Sequence, residues 1–521
     1  MSKIRLEIEE LEVQYGSKVA ISDISFSLNK GQIVAIVGES GSGKSTLLKS
    51  LSTLNQLGGT QSHGKIKYCG KDIAEMTPSE RKQLLGVEIG MIFQNPQGSF
   101  NPLRTYRKQF IETLKSHGLY DKNTFDIQIA ELFEKLNLTG ASRILASRPY
   151  EMSGGMNQRI AIALALLLEP KVLLADEPTS ALDVSSQIQV LEELIRIKQY
   201  FQTSILFVTH NVGAAAMVAD KIGVMYKGRL VEFGNSSEVL YEPKHEYTKR
   251  LLAAVPKMKK EAPAELSSSK DALLELNGVN KVYFEKEEPF FALNHLQLSV
   301  RQGEILGVVG ESGSGKSTLL KVVAGLQSPT DGSIYWKGKE ITNKKRTKED
   351  YREIQMIFQN ARESLNPRRK IRDTFGETIK NLQGIKKKSE RDKIIDHWME
   401  RVGLPKDLAD RYPSQLSGGQ CQRVAIARAI AVKPKLLLCD EITSALDVSV
   451  QEEVVRLLMK LVKEEQITMI FVTHDLSLVS NISETIMVMQ GGNCVEYGST
   501  HQVICHSKHS YTKRLLDAVI D

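Results

Sequence analysis

Two kinds of apolar pattern alternate along the chain. Short, almost wholly apolar runs ("QIVAIVG", "VLLAD" and "ILFVT", then "EILGVVG", "LLLCD" and "MIFVT") have no polar face and predict strands covered on both sides. Longer stretches with helical spacing, such as "STLLKSL", "STLLKVVAGL" and "QIQVLEELIRIKQY", lie between them. Strands that alternate with helices predict an α/β fold on a parallel sheet, and such sheets present ligand sites at the carboxyl ends of their strands. The polar residues of interest stand at those ends.

The pattern is written twice. "GESGSGKST" occupies Gly38 to Thr46 and recurs letter for letter from Gly310 to Thr318. The offset between matching residues is 272 at these loops, 265 at Gln94 and Gln359, and 264 at Ser153 and Ser417, Asp176 and Asp440, and His210 and His474. A chain of 521 residues exceeds what one core serves, and the repeat predicts two domains, residues 1–255 and 271–521. Between them "PKMKKEAPAELSSSK" (256–270), rich in Lys, Ser, Pro and Glu, reads as a linker that spans roughly 50 Å when extended.

Each repeated loop has the form G-x-x-x-x-G-K-[ST] between a predicted strand and a predicted helix, the context of a phosphate cradle. Glycines let successive backbone N–H groups turn toward one anion, the helix N-terminus adds partial positive charge, and Lys44 or Lys316 adds a full one. The expected nucleotide-binding set is Gly38, Ser40, Gly41, Gly43, Lys44, Ser45 and Thr46, with Gly310, Ser312, Gly313, Gly315, Lys316, Ser317 and Thr318 in the second copy. The Ser45 and Ser317 hydroxyls are expected on Mg2+, together with Asp176 and Asp440 at the ends of buried strands. Glu177 and Glu441 come next in sequence and are placed to orient or deprotonate an attacking water.

His210 and His474 follow "FVT" and are candidates to position water and the γ-phosphate. Gln94 and Gln359 follow "MIF" and are expected to ligate magnesium through their side-chain oxygen. Tyr15 and Tyr283 each lie eight residues after a glutamate, Glu7 or Glu275; two readings stand, a ring stacked on adenine and a half-buried strand tyrosine. Ser153, Gly154 and Gly155, and likewise Ser417, Gly418 and Gly419, precede an apolar helical run, making a second anion-binding helix N-terminus in each half.

Bulk properties exclude other classes. Net charge is +7 from 69 basic and 62 acidic residues, mild for this length, so runs such as "NKKRTKED" (343–350) read as solvated faces and no nucleic-acid partner is expected. The start, "MSKIRLEIEE", has no signal-peptide core, and the apolar stretch "IAIALALLL" (160–168) falls short of the roughly 20 residues that span a bilayer. The chain is therefore not expected to cross a membrane by itself. Cys69, Cys421, Cys439, Cys494 and Cys505 are scattered without a C-x-x-C pair, which fits a reducing compartment.

In this order and twice over, "GESGSGKST", "MIFQ", "SGG" with "QR", "ADEPTSALD" or "CDEITSALD", and "FVTH" resemble the nucleotide-binding domains of ABC transporters, over nearly the whole chain. The resemblance implies two tandem P-loop NTPase domains, each a RecA-like core with a helical subdomain, paired head to tail as an intramolecular pseudo-dimer. Each ATP would lie between the phosphate loop of one half and the Ser-Gly-Gly of the other. One site would join Tyr15, Lys44, Ser45, Gln94, Asp176, Glu177 and His210 with Ser417, Gly418 and Gly419. The other would join Tyr283, Lys316, Ser317, Gln359, Asp440, Glu441 and His474 with Ser153, Gly154 and Gly155.

ATP and Mg2+ are the cofactors this implies, and ATP hydrolysis coupled to solute translocation the activity. "FQNPQGSFNPL" and "FQNARESLNPR", with "HEYTKRLLAAV" and "HSYTKRLLDAV", are similar to the oligopeptide, dipeptide and nickel importer group. That likeness implies two integral membrane permease subunits, an extracytoplasmic solute-binding protein and a peripheral place on the cytoplasmic face of the cell membrane. The alternative is a soluble tandem ABC ATPase acting on ribosomes, but such proteins typically join their domains by a long charged helical linker. Met152 and Asn157 depart from the first signature, Ile442 stands where the family usually has proline, and Glu246 and Ser510 replace a common proline near each end. None removes a charge needed for hydrolysis, so both sites are expected to be active.

Overall fold

A computed structural model describes residues 4–52, 59–180, 182, 184–256, 258, 271–285, 288–342, 345–443, 446 and 448–517. Of the linker expected at 256–270, all but Pro256 and Met258 lies outside the described residues. The chain divides into two compact units, Met1–Val255 and Pro256–Asp521.

The first unit contains β1 (Ile4–Tyr15), β2 (Lys18–Asn29), β3 (Ile33–Val37), β4 (Gly59–Tyr68), β5 (Lys71–Asp72), β6 (Ile89–Ile92), β7 (Val172–Asp176), β8 (Ser204–Thr209), β9 (Lys221–Tyr226) and β10 (Arg229–Asn235). One sheet has the order β10-β9-β3-β8-β7-β6, parallel except for β10 at its edge. Every residue of β3, β7 and β8 is buried, as their unbroken apolar runs require. Along β3 the side chains divide between two cores. Ile33, Ala35 and Val37 join the helices on one face, with Phe110, Leu166 and Ile197. Val34 and Ile36 join Leu47, Leu48 and the second sheet on the other.

That second sheet, antiparallel and ordered β2-β1-β4-β5, is absent from the expectation drawn from the apolar runs. Its signal is the period-two alternation in "IRLEIEELEVQY", where Leu6, Ile8, Leu11 and Val13 are buried between glutamates. The extra residue between Ile8 and Leu11 breaks the period in sequence. The strand absorbs it in an irregularity at Glu10, φ +48°, which returns Leu11 to the core side.

The second unit repeats this plan with β11 (Ala272–Glu285), β12 (Glu288–Arg301), β13 (Ile305–Val309), β14 (Asp331–Trp336), β15 (Lys339–Glu340), β16 (Ile354–Ile357), β17 (Leu436–Asp440), β18 (Thr468–Val472), β19 (Thr485–Gln490) and β20 (Asn493–Ser499). Its sheets run β12-β11-β14-β15 and β16-β17-β18-β13-β19-β20, the same neighbours throughout. One visible difference is the segment Leu84–Glu88, which separates the helix Pro78–Gln83 from β6, whereas the helix Lys348–Glu353 passes straight into β16.

Candidate nucleotide site

In both units the polar residues of interest leave the carboxyl ends of neighbouring parallel strands. The phosphate loop follows β3, His210 follows β8, Asp176 ends β7, and Gln94 lies two residues past β6. Sheet order alone therefore gathers residues that are far apart in sequence. At the end of the loop Gly43 has φ +105°, and a Cβ there would come within 2.4 Å of Ile21 Cγ2, so the helix Lys44–Leu51 can start only from glycine. At Gly41 an added Cβ would meet nothing within 4 Å, which marks the open mouth of the loop. Lys44 is buried and braces the loop from within, its Nζ donating to Gly38 O at 2.7 Å and Glu39 O at 2.9 Å. Lys316 does the same to Gly310 O at 2.7 Å and Glu311 O at 2.8 Å.

The carboxylates meet this loop. Ser45 Oγ donates to Asp176 Oδ1 at 3.0 Å, and Ser317 Oγ to Asp440 Oδ1 at 2.8 Å. Burial pushes both aspartate carboxyls above their ordinary range, with the serine hydroxyl pulling the other way. Glu177 and Glu441 adopt φ +47° and +43°, a left-handed conformation that costs a non-glycine residue of order 1–3 kcal/mol. Each is pinned there by its own N–H, which donates to Val208 O at 3.0 Å or Val472 O at 2.9 Å. Glu177 Oε2 accepts from Gln94 Nε2 at 3.0 Å and lies 3.2 Å from His210 Nδ1. Burial pushes the Glu177 carboxyl up, but the hydrogen bond and charge of His210, then Lys44 and Gln94, outweigh it and hold the group below its ordinary range. Glu177 is thus an ionised acceptor in a strained turn.

In the second unit Glu441 Oε2 accepts from Gln359 Nε2 at 3.0 Å, with His474 Nδ1 at 4.0 Å and Lys316 Nζ 3.8 Å from Oε1. The expected Mg2+ donors, a hydroxyl, a carboxylate and an amide oxygen, are all hard oxygens, and the desolvated aspartate beside the hydroxyl fits a small divalent cation.

The ABC transporter family model matches residues 21–180 and 293–444, and the model for the oligopeptide/dipeptide transporter C-terminal region matches residues 231–284. The peptidoglycan transport ATP-binding protein YejF of Agrobacterium fabrum is 36% identical over 99% of this chain and 96% of its own length. The glutathione import ATP-binding protein GsiA of Escherichia coli O6:H1 is 34% identical over 99% of this chain and 89% of its own. The chain belongs to the ABC transporter family. It is an ABC ATPase with two tandem nucleotide-binding domains. A crystal structure of an archaeal ribosomal stalk protein complexed with the ribosome recycling factor aABCE1 shares the fold, with TM-score 0.62 and 22% identity over 93% of this chain and 88% of that one. None of the described helices is long and apolar enough to cross a membrane.

Within this ABC ATPase the structure brings together Lys44, Ser45, Gln94, Asp176, Glu177 and His210, and their second-half counterparts. Other expected residues lie on separate elements. Tyr15 ends the first strand of its hairpin and Tyr283 lies two residues before the end of its own, both with partly exposed rings, and Tyr283 Oη donates to Gln327 Oε1 at 2.5 Å. Ser153 and Ser417 cap the helices Gly154–Leu166 and Gly418–Ile430, accepting from Met156 N at 3.3 Å and Gln420 N at 3.3 Å. Two residues outside the expected set touch the loops. Tyr247 Oη accepts from Glu39 N at 3.4 Å and Tyr511 Oη from Glu311 N at 2.8 Å, so the C-terminal helix of each unit holds its phosphate loop. Their signal is the repeated "YTKRLL", which sequence reading assigns to subgroup and not to site.

Proposed function

We propose that this chain is the ATP-hydrolysing subunit of an importer, coupling ATP at two composite sites to uptake of a peptide-like or related small solute through two separate membrane permease subunits fed by an extracytoplasmic binding protein. The observation that carries it is the duplicated cluster of a buried lysine, a serine–aspartate pair and a glutamate in a strained left-handed turn. The match at residues 231–284 and two relatives named for peptidoglycan transport and glutathione import support a solute with peptide character.

Lys44 and Lys316 would bind the phosphate oxygens as fixed charges, and the loop N–H groups would complete the cradle. Glu177 and Glu441 would take the proton of an attacking water, with His210, Gln94 and Gln359 fixing where the carboxylate oxygens lie. Mg2+, held by Ser45, Gln94 and Asp176 or by Ser317, Gln359 and Asp440, supplies neutralisation of phosphate charge when bound. The Ser-Gly-Gly of each half, with its helix N-terminus, would close over the nucleotide on the loop of the other half. The chain would then sit peripherally on the cytoplasmic face of the membrane, held by its permeases.

Purification with its permeases, followed by phosphate-release assays with candidate solutes and the binding protein, tests the reading. A peptide-containing solute that raises ATPase activity is the expected result. Co-sedimentation with ribosomes in place of membrane subunits would overturn it.

A further inference from the structure

The stretch that leaves each glutamine leads to a helix, Tyr106–Ser116 in the first unit and Ile371–Gln383 in the second. In both units that stretch is tied to the turn before the signature serine, through unrelated residues. Tyr106 is fully buried and its Oη donates to Asn157 Oδ1 at 2.5 Å. Asn157, also fully buried, aims its amide at three carbonyls of one turn: Pro149 O at 2.9 Å, Met152 O at 3.0 Å and Ser153 O at 3.1 Å. The amide nitrogen is thus committed to the turn that presents Ser153, and the amide oxygen to Tyr106. A buried amide left without such partners would be costly, so this network has a single well-determined arrangement.

The second unit has Ile371 and Cys421 at the matching positions, both buried, and cannot form this network. The carbonyl of Leu416, the counterpart of Met152, is held there by Arg362 Nη2 at 2.6 Å, from three residues past Gln359. Arg428, on the signature helix, donates to Ser364 O at 3.1 Å in the same stretch, where the first unit has Leu164. The same carbonyl is gripped twice, by different chemistry. Of that network the second unit keeps a single weak contact, Cys421 Sγ donating to Pro413 O at 3.6 Å, the counterpart of Pro149 O, while Ile371 fills the ring's place, so packing does not explain the buried tyrosine and asparagine.

The geometry points to Tyr106 and Asn157 as positioning residues that hold the Ser153 signature in register with the Gln94 stretch, the task Arg362 performs for Ser417. The inference rests on the proposed head-to-tail pairing only for which nucleotide feels it, namely the one on Lys316. Tyr106→Phe keeps the ring and removes the hydroxyl. In the full-length chain, 8-azido-ATP is trapped with vanadate and photo-crosslinked, and label in each half is counted after cleavage at a protease site inserted in 256–270.

The expected result is about tenfold less trapping on the second half and less than twofold change on the first, since a lost buried hydrogen bond and a displaced contact act together. Arg362→Met is expected to give the mirror pattern. Adding Gln97→Arg, the residue aligned with Arg362, to Tyr106→Phe is expected to restore trapping to within about threefold, a rescue that a merely structural role does not give. Unchanged trapping in both halves, or equal loss in both, would overturn the positioning role. Loss confined to the first half would uphold it and overturn the head-to-tail pairing instead.

Discussion

The two halves agree closely at the lysine, serine–aspartate and glutamine–glutamate contacts and differ where those contacts are supported. The contacts Lys–loop carbonyl, Ser–Asp and Gln–Glu recur within 0.2 Å, from 2.9 Å against 2.8 Å at Glu39 and Glu311 to 3.0 Å in both at Gln94 and Gln359. Around the signature helices little recurs. Arg159 pairs with Glu193, whose side chain is 3% exposed, while Arg423 pairs with Glu453, which is 59% exposed. Ser417 has a full capping box with Gln420, and Ser153 faces Met156, which has no such group to return. A phosphate, a hydroxyl and a water fix distances tightly, so the groups that meet them have no freedom. The free N–H groups of a helix N-terminus can be satisfied by any acceptor of suitable reach, so their supports are interchangeable.

The largest test of that comparison removes the two glutamates. Glu177→Gln with Glu441→Gln is expected to keep nucleotide binding and cut phosphate release by at least about a hundredfold, the scale of a lost general base. Near-normal phosphate release in the double variant would break the assignment, and unequal single variants would show that matching lysine, serine and glutamine contacts do not mean equal turnover.

Next comes Glu193, buried where Glu453, the acid that pairs with Arg423, is exposed. Burial pushes its carboxyl up to about 7, with Arg159 pulling the other way, and its Oε2 has no partner. A carboxyl raised in the folded state favours folding while protonated, so its contribution is present below the ordinary 4.5 and is lost as pH rises through about 7. Glu193→Leu imitates the second half, which has Leu457 there. Between pH 5 and pH 8 the native chain is expected to lose about 2–3 kcal/mol more stability than this variant, read from denaturant unfolding at both values. Parallel losses in the two proteins would place Glu193 outside the titration.

Much of this site was legible in the letters. An unbroken apolar run needs two covers, so the strands, their carboxyl ends and the residues following them could be read directly, and duplication made each reading a check on the other. The antiparallel sheet was harder because the irregularity at Glu10 shifts the alternation by one place and disguises Leu11 and Val13. The left-handed backbone at Glu177 and Glu441 was not legible, since glutamate has no preference for it and the strain is imposed by β8 and β18 through Val208 and Val472. Nor was the work of Asn157, which reads in sequence as a defect in a signature and in the structure as the centre of a hydrogen-bond network.

The histidines give a finer test. His210 Nδ1 is 3.2 Å from Glu177 Oε2, whereas His474 Nδ1 is 4.0 Å from Glu441 Oε2, outside hydrogen-bond range. His210→Ala is expected to lower phosphate release about tenfold, roughly one charge-assisted hydrogen bond, and His474→Ala by a smaller factor. Steady-state rates of the two single variants decide it, and a larger effect at His474 would reverse the ranking drawn from distance.

The smallest effect concerns the caps, and it separates what a signature needs from what a helix prefers. Ser417 N–H donates to Gln420 Oε1 at 3.0 Å while Gln420 N–H donates back to Ser417 Oγ at 3.3 Å, satisfying two groups that the first turn would otherwise leave to water. Met156 can offer no acceptor in return, so the first signature keeps only the serine half of the exchange. Gln420→Met is therefore expected to cost about 0.5–1 kcal/mol in denaturant unfolding, and Met156→Gln to gain a similar or smaller amount. Neither should alter the Tyr106–Asn157 or Arg362 contacts, which act on carbonyls up to the serine's own and not on the amides after it. If Met156→Gln instead changed nucleotide trapping as strongly as Tyr106→Phe, cap and latch would be one device, and the two signatures would differ in function as well as in support.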